Sequence, residues 1–126
     1  MYLFYSDESN LDAASEFFVY GGLAIPSDNA AGLSAAIETA RAKAGIPPED
    51  LLKFNPTPPD LTHEAFTRLK EDCIRATTEH GCVLLVSVLL HKIAKTPDEA
   101  RRFEINRCLY FFDCLLNRRS DHGLVL

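Results

Sequence analysis

The spacing of apolar and polar positions changes several times along this chain, and each change predicts an element. Tyr2-Leu-Phe-Tyr-Ser-Asp7 is mostly aromatic and aliphatic, as strands are, and Ser9-Asn10 breaks the run. Glu16–Ile25 reads as a second strand that Pro26 stops, and the short polar link Ser9–Ser15 suits an antiparallel hairpin. Gly21-Gly22 inside that strand marks a bulge or a close backbone approach. No Gly-x-Gly-x-x-Gly or Walker spacing accompanies the glycines, so a phosphate-binding loop is not indicated.

Ser27 or Asp28 can cap a helix that runs to about Ala44, with Leu33, Ile37 and Ala40 on its inner face and Gly45 and Pro47-Pro48 ending it. The prolines from Pro47 to Pro59 exclude a regular helix and leave a loop with a short extended core at Leu51–Asn55. Thr62 caps a second helix, which carries Phe66, Leu69, Cys73, Ile74 and Thr77 at helical spacing and ends at Gly81. Cys82–Leu90 is apolar at nearly every position, which predicts a central strand covered on both faces. Thr96-Pro97-Asp98-Glu99 is a capping box with proline at the first helical position, and the third helix runs to Arg118-Arg119. His122-Gly123 makes a turn, and Leu124-Val125-Leu126 begins another strand, so the chain reads as one cut in mid-sheet. A hairpin followed by helices alternating with a buried strand is an α/β pattern with a mixed sheet.

The 126 residues, 47% hydrophobic and 25% charged, describe a single soluble domain spanning 1–126. A formal net charge of −5 argues against sequence-blind binding to nucleic acid, though not against an enzyme that reaches phosphates through a metal. No apolar run approaches the roughly 20 residues of a membrane span, so no membrane association is expected. The apolar start has no basic segment before it, so no signal peptide is expected. Cys73, Cys82, Cys108 and Cys114 form no Cys-x-x-Cys pair and suit free thiols in a cytoplasmic protein. His63, His80, His91 and His122 lack a paired spacing for zinc.

The acid pair Asp7-Glu8 is the most suggestive chemistry. A carboxylate fixed at the rim of a sheet can hold a hard cation, whereas the competing reading is a charged hairpin corner facing water. Side chains alternate along a strand, so Asp7 belongs with Leu3 and Tyr5 and Glu8 with Phe4 and Ser6. Asp7 is the first candidate ligand and Glu8 the second. Asp12, Glu16, Glu49, Asp50 and Asp113 are further acids without a specific placement. Ser6 and Ser9 have no nucleophile elbow, and Arg101-Arg102 and Arg118-Arg119 read as helix-surface charges.

Four segments in order carry a resemblance: Tyr5-Ser-Asp7-Glu8-Ser9, Phe17-Phe-Val-Tyr-Gly-Gly-Leu-Ala-Ile-Pro26, Leu52-Lys53-Phe54-Asn55, and Asn106-Arg-Cys-Leu-Tyr110-Phe-Phe-Asp-Cys-Leu followed by Gly123-Leu-Val-Leu126. Together they resemble the domain of unknown function 3800 family, with the chain matching the N-terminal part of that family's length. The resemblance implies a ribonuclease H-like fold whose C-terminal part is missing here, and a metal-dependent nuclease or phosphohydrolase activity. It implies Mg2+ or Mn2+ as cofactor, Asp7 as metal ligand, and Asp7, Glu8 and Lys53 as the catalytic group, with Lys53 neutralising a phosphate or pairing with Asp7. Nucleic acid is the implied partner. The family's later acids have no counterpart, so the chain by itself is expected to be inactive. The alternative is a non-catalytic interaction module or decayed relative, with a homo-oligomer formed through the open sheet edge near Leu124–Leu126.

Overall fold

The structure is a computed structural model that describes residues 1–10, 15–53, 57–58 and 60–126. Among them it is mixed α/β: β1 (Tyr2–Ser9), β2 (Phe17–Pro26), α1 (Ala30–Lys43), α2 (His63–Glu79), β3 (Val83–Leu90), α3 (Pro97–Arg119) and β4 (Gly123–Val125). The chain divides into two compact units, one of Met1–Ser27 with Cys82–Leu126 and one of Asp28–Gly81.

The first unit holds a four-stranded sheet in the order β3-β2-β1-β4. β1 and β2 form the expected antiparallel hairpin, with Tyr2 opposite Pro26 and Asp7 opposite Gly21. β3 continues the meander antiparallel to β2. α3 then carries the chain across to β4, which lies parallel to β1 with Tyr2 beside Gly123. A parallel pair needs such a crossover, since a tight turn can join only antiparallel neighbours.

Burial alternates along β2, and the register extends that alternation across the sheet. Phe4, Phe18, Tyr20, Ala24 and Leu89 on the inner face pack with Ala100, Cys108 and Phe112 of α3. The Phe4 and Phe112 rings stack with centroids 4.7 Å apart and planes 16° from parallel. The outer face is different. Leu84, Val86 and Val88 of β3 are 69%, 44% and 53% exposed, and Tyr5 and Phe17 are exposed as well.

β3 is therefore an edge strand covered on one face, not the central strand its sequence predicts. A run apolar at every position shows that both faces can be buried. It does not supply the layer that would bury the second.

Local signals fare better. Thr62 accepts the Ala65 N–H at 3.2 Å and Thr96 accepts the Glu99 N–H at 3.1 Å, so both predicted caps form. At α1 the chain takes one 3-10 turn at Ser27–Asn29, and the cap position falls to Asn29, which makes no side-chain cap bond. Its amide donates instead to the His80 carbonyl at 2.9 Å. The end of α1 is a Schellman closure: Ile46 N–H reaches the Arg41 carbonyl at 3.0 Å while Gly45 turns through φ +75°. Of the predicted extended segment Leu51–Asn55, residues 51–53 form no strand, and Phe54 and Asn55 lie outside the described residues.

The two glycines of β2 resolve as a close approach, since the register runs through them without a bulge. A Cβ on Gly22 would lie 2.4 Å from Phe4 Cζ and 2.7 Å from the Tyr5 carbonyl oxygen, whereas one on Gly21 would meet its nearest atom at 3.1 Å. Gly22→Ala is expected to cost about 3 kcal/mol, the upper part of the overpacking range, and Gly21→Ala less than about 1. Urea unfolding of the pair checks this, and equal costs would show that the Phe4 ring moves aside freely.

Candidate functional site

Asp7 lies near the carboxyl end of β1, which runs on to Ser9. It is exposed on the outer face, and its Oδ1 accepts the Glu8 N–H at 2.8 Å. Across the register stands Gly21, which has no side chain, and beyond it Val86. Glu8 faces the other way, as the alternation predicts. Its Oε1 pairs with Arg101 Nη2 on α3 at 3.0 Å, with only a quarter of the Glu8 side chain exposed. The acid pair is thus divided between the two faces of the sheet.

The inner face carries a second acid that the sequence does not announce. Glu104 has no exposed surface, neither carboxylate oxygen makes a hydrogen bond, and its ion pair to Arg107 Nη1 is long at 3.5 Å. It falls in the buried series Ala100, Glu104, Cys108, Phe112, one turn apart along α3. Nearby polar groups of this face are better satisfied, with Ser6 Oγ and Tyr20 OH hydrogen-bonded at 2.9 Å. The helix exposes Phe103, Leu109, Tyr110 and Phe111 while burying Glu104, so its apolar residues do not mark its buried side. The four-residue spacing from Ala100 to Phe112 was the available signal.

Arg101 also lines a cavity of about 740 Å3 at the start of α3, together with Lys95, Asp98, Glu99 and Arg102. This cavity therefore borders the Glu8–Arg101 pair. Lys53 belongs to the second unit, where it is exposed and lines two smaller cavities. Of the other acids, Asp12 lies outside the described residues, Glu16 is exposed, and Asp113 holds the Asn117 amide at 3.0 Å on the helix surface.

The cysteines are free. Burial pushes the Cys108 thiol up, and the charge of Glu104 adds to the effect; burial likewise raises Cys73 and Cys82. Thiols held protonated in this way are poor nucleophiles. His91 Nε2 contacts the Asn10 carbonyl at 2.8 Å, a structural tie between the end of β3 and the loop after β1.

Among the described residues no group of three or more His, Cys, Asp or Glu side chains is arranged for a metal, and no helix is long and apolar enough to cross a membrane. The chain matches no family model, no curated protein and no solved structure.

A buried carboxylate without hydrogen bonds is a stability cost that an apolar side chain of similar volume removes. Glu104→Met is expected to raise the unfolding free energy by about 1–3 kcal/mol, read from denaturant midpoints. A lower stability would mean that the carboxylate has a favourable partner in solution.

Proposed function

We propose that the unit of Met1–Ser27 and Cys82–Leu126 is a ribonuclease H-like scaffold for divalent-metal-dependent phosphodiester chemistry, with Asp7 its functional acid. The observation that carries the reading is the parallel β1–β4 pair reached through α3, with Asp7 towards the carboxyl end of β1. In open α/β sheets ligands favour the carboxyl ends of strands where the connections diverge, and here the chain leaves β1 towards β2 on one side and meets β4 on the other.

The residues fit one kind of cation and not another. A single exposed carboxylate suits a magnesium or manganese ion that keeps most of its waters and takes its remaining ligands from a substrate phosphate. Such an ion would polarise a phosphoryl oxygen. Among the described residues a multi-acid cluster is not assembled, because Glu8 on β1 and Glu104 on α3 belong to the covered face of the sheet while Asp7 lies on the outer face, and Glu8 is held by Arg101. The family identity and the nuclease activity rest on this topology and on the sequence resemblance.

Paramagnetic Mn2+ tests the reading directly. In a 15N-labelled sample, substoichiometric Mn2+ is expected to broaden the amides of Ser6–Ser9 and Gly21 first, and Asp7→Asn is expected to abolish that selectivity. Broadening spread over all acidic surfaces, or unchanged in the variant, would remove Asp7 as a ligand.

A second reading, a protein-interaction module, is favoured by the exposed apolar face of Tyr5, Phe17, Leu84, Val86 and Val88. That face is a second candidate surface beside the edge strand β4, where Leu124, Val125 and Leu126 are also exposed. Sedimentation velocity is expected to show concentration-dependent association that Val86→Asp suppresses and metal leaves unchanged. A monomer at every concentration would leave this face without a self-association role.

A further inference from the structure

β3 reads Val-Leu-Leu-Val-Ser-Val-Leu-Leu from Val83 to Leu90, 8 residues without a charge, a proline or a glycine. Its register against β2 runs from Phe17–Leu90 to Ala24–Val83 without a bulge. Among the described residues no strand lies beyond it in the sheet. Charges, prolines, bulges and shortness are the usual devices that keep an edge from pairing with another chain, and β3 has none of them. The opposite edge is blunter, since β4 has 3 residues and begins at Gly123.

The hydrogen-bond pattern decides which main-chain groups face the open side. His91 N–H donates to the Glu16 carbonyl at 3.1 Å, one step past the Phe17–Leu90 pair, so His91 belongs to the ladder with β2. Bonded positions alternate along an antiparallel pair. Leu89, Ser87 and Leu85 therefore turn their N–H and C=O groups to β2, whereas Leu90, Val88, Val86 and Leu84 turn theirs outward. The neighbouring ladder agrees. Ser27 N–H bonds to the Met1 carbonyl at 2.9 Å, which assigns alternate residues from Ile25 back to Val19 to β1 and leaves Ala24, Gly22, Tyr20 and Phe18 for β3. The outward row of donors and acceptors thus belongs to the same residues whose side chains form the outer face, of which Leu84, Val86 and Val88 are exposed.

The sequence of the strand names the partner. Leu84-Leu85-Val86-Ser87-Val88-Leu89-Leu90 reads the same in both directions. Two copies related by a two-fold axis at Ser87 would pair Ser87 with Ser87, Val86 with Val88 and Leu84 with Leu90, each outward residue against an outward one. That register closes about eight main-chain hydrogen bonds, within the roughly 10 ± 5 of a typical protein interface. Ser87 would form a non-hydrogen-bonded pair, the closer kind, so that its hydroxyl meets its own copy. A slip by one residue would set outward groups against inward ones, and a slip by two would put Ser87 against Leu85 or Leu89. No charge stands along the strand, so chains with a net charge of −5 can meet here without opposing like charges. We propose that β3 pairs antiparallel with β3 of a second copy about a two-fold axis at Ser87, joining two four-stranded sheets into one. The contact rests on the self-association of the interaction reading and moves it from the outer face to the main-chain edge. Being isologous, it closes at a dimer.

Amide exchange on the 15N-labelled chain, with sedimentation velocity on the same samples, tests the pairing. As the chain associates, the amides of Leu84, Val86, Val88 and Leu90 are expected to slow together, by about tenfold when about nine-tenths of the chains are paired, while those of β4 do not change. Val88→Pro removes one outward N–H from each copy without touching the β2 ladder and is expected to weaken association by about tenfold or more. Tyr5→Ser alters the outer face two strands from the edge and is expected to leave association unchanged. Association with these amides still fast, or lost in Tyr5→Ser, would overturn the edge contact and keep the outer face as the joint. A monomer at every concentration would overturn both, leaving the edge for a strand of another protein, and growth past a dimer would overturn the two-fold register. Should Val88→Pro fail to fold, exchange on the unaltered chain still decides.

Discussion

The seating of α3 on the inner face of the sheet is the contact on which the first unit depends. Phe4 and Phe112 stack at its centre, with Phe18, Tyr20 and Cys108 closed around them. Burying large aromatic side chains contributes about 2–3 kcal/mol each before the entropy of ordering them is counted. The same stack dictates glycine beside it: a Cβ on Gly22 would strike the Phe4 ring, and one on Gly123 would come within 2.5 Å of Phe112 Cζ. The helix thus does two things at once. It closes the core and delivers β4 to the edge of β1, where the Leu126 N–H reaches the Phe4 carbonyl at 2.9 Å.

One helix on one face leaves the sheet chemically two-sided. Glu8, on the covered side, is neutralised by Arg101, and Glu104 is sealed beneath the helix without hydrogen bonds. Asp7, on the open side, is exposed beside the apolar side chains of that face. Two adjacent acids in the sequence therefore have different chemistry, and the pleat is the reason. The Asp7 side can meet a solvated cation or an apolar partner, and the Glu8 side adjoins the cavity at the start of α3.

In the second unit a single buried cation plays the organising part. Arg41 lies on the last turn of α1, and the Schellman closure at Gly45 turns the chain back so that the following carbonyls fall within reach of its side chain. All three bonds leave one nitrogen, Nη2, so the carbonyls of Pro47, Pro48 and Asp50 converge on one end of the guanidinium. Proline-rich segments lack N–H donors, and a side-chain donor that gathers their carbonyls compensates for ladder bonds the loop cannot make.

Much of the local structure was legible in the sequence. The hairpin, the Thr62 and Thr96 caps, the end of α1 at Gly45 and the opposite facing of Asp7 and Glu8 all follow from interactions within a few residues or from the two-residue period of a strand. What the sequence left open depends on partners far along the chain. Whether Cys82–Leu90 is central or an edge is decided by the pairing of Tyr2 with Gly123 and of Leu23 with Leu84, and no local pattern encodes that order. Glu104 was hidden because apolar and charged residues alternate all around α3, so only the sheet it rests on shows which side is buried. Arg41 carries no sequence signal of its role, because the carbonyls it gathers come within reach only when the chain turns back after Gly45. The sequence determined where elements begin, end and alternate; the tertiary structure decided which faces are covered, and so which acids and cations remain available for chemistry.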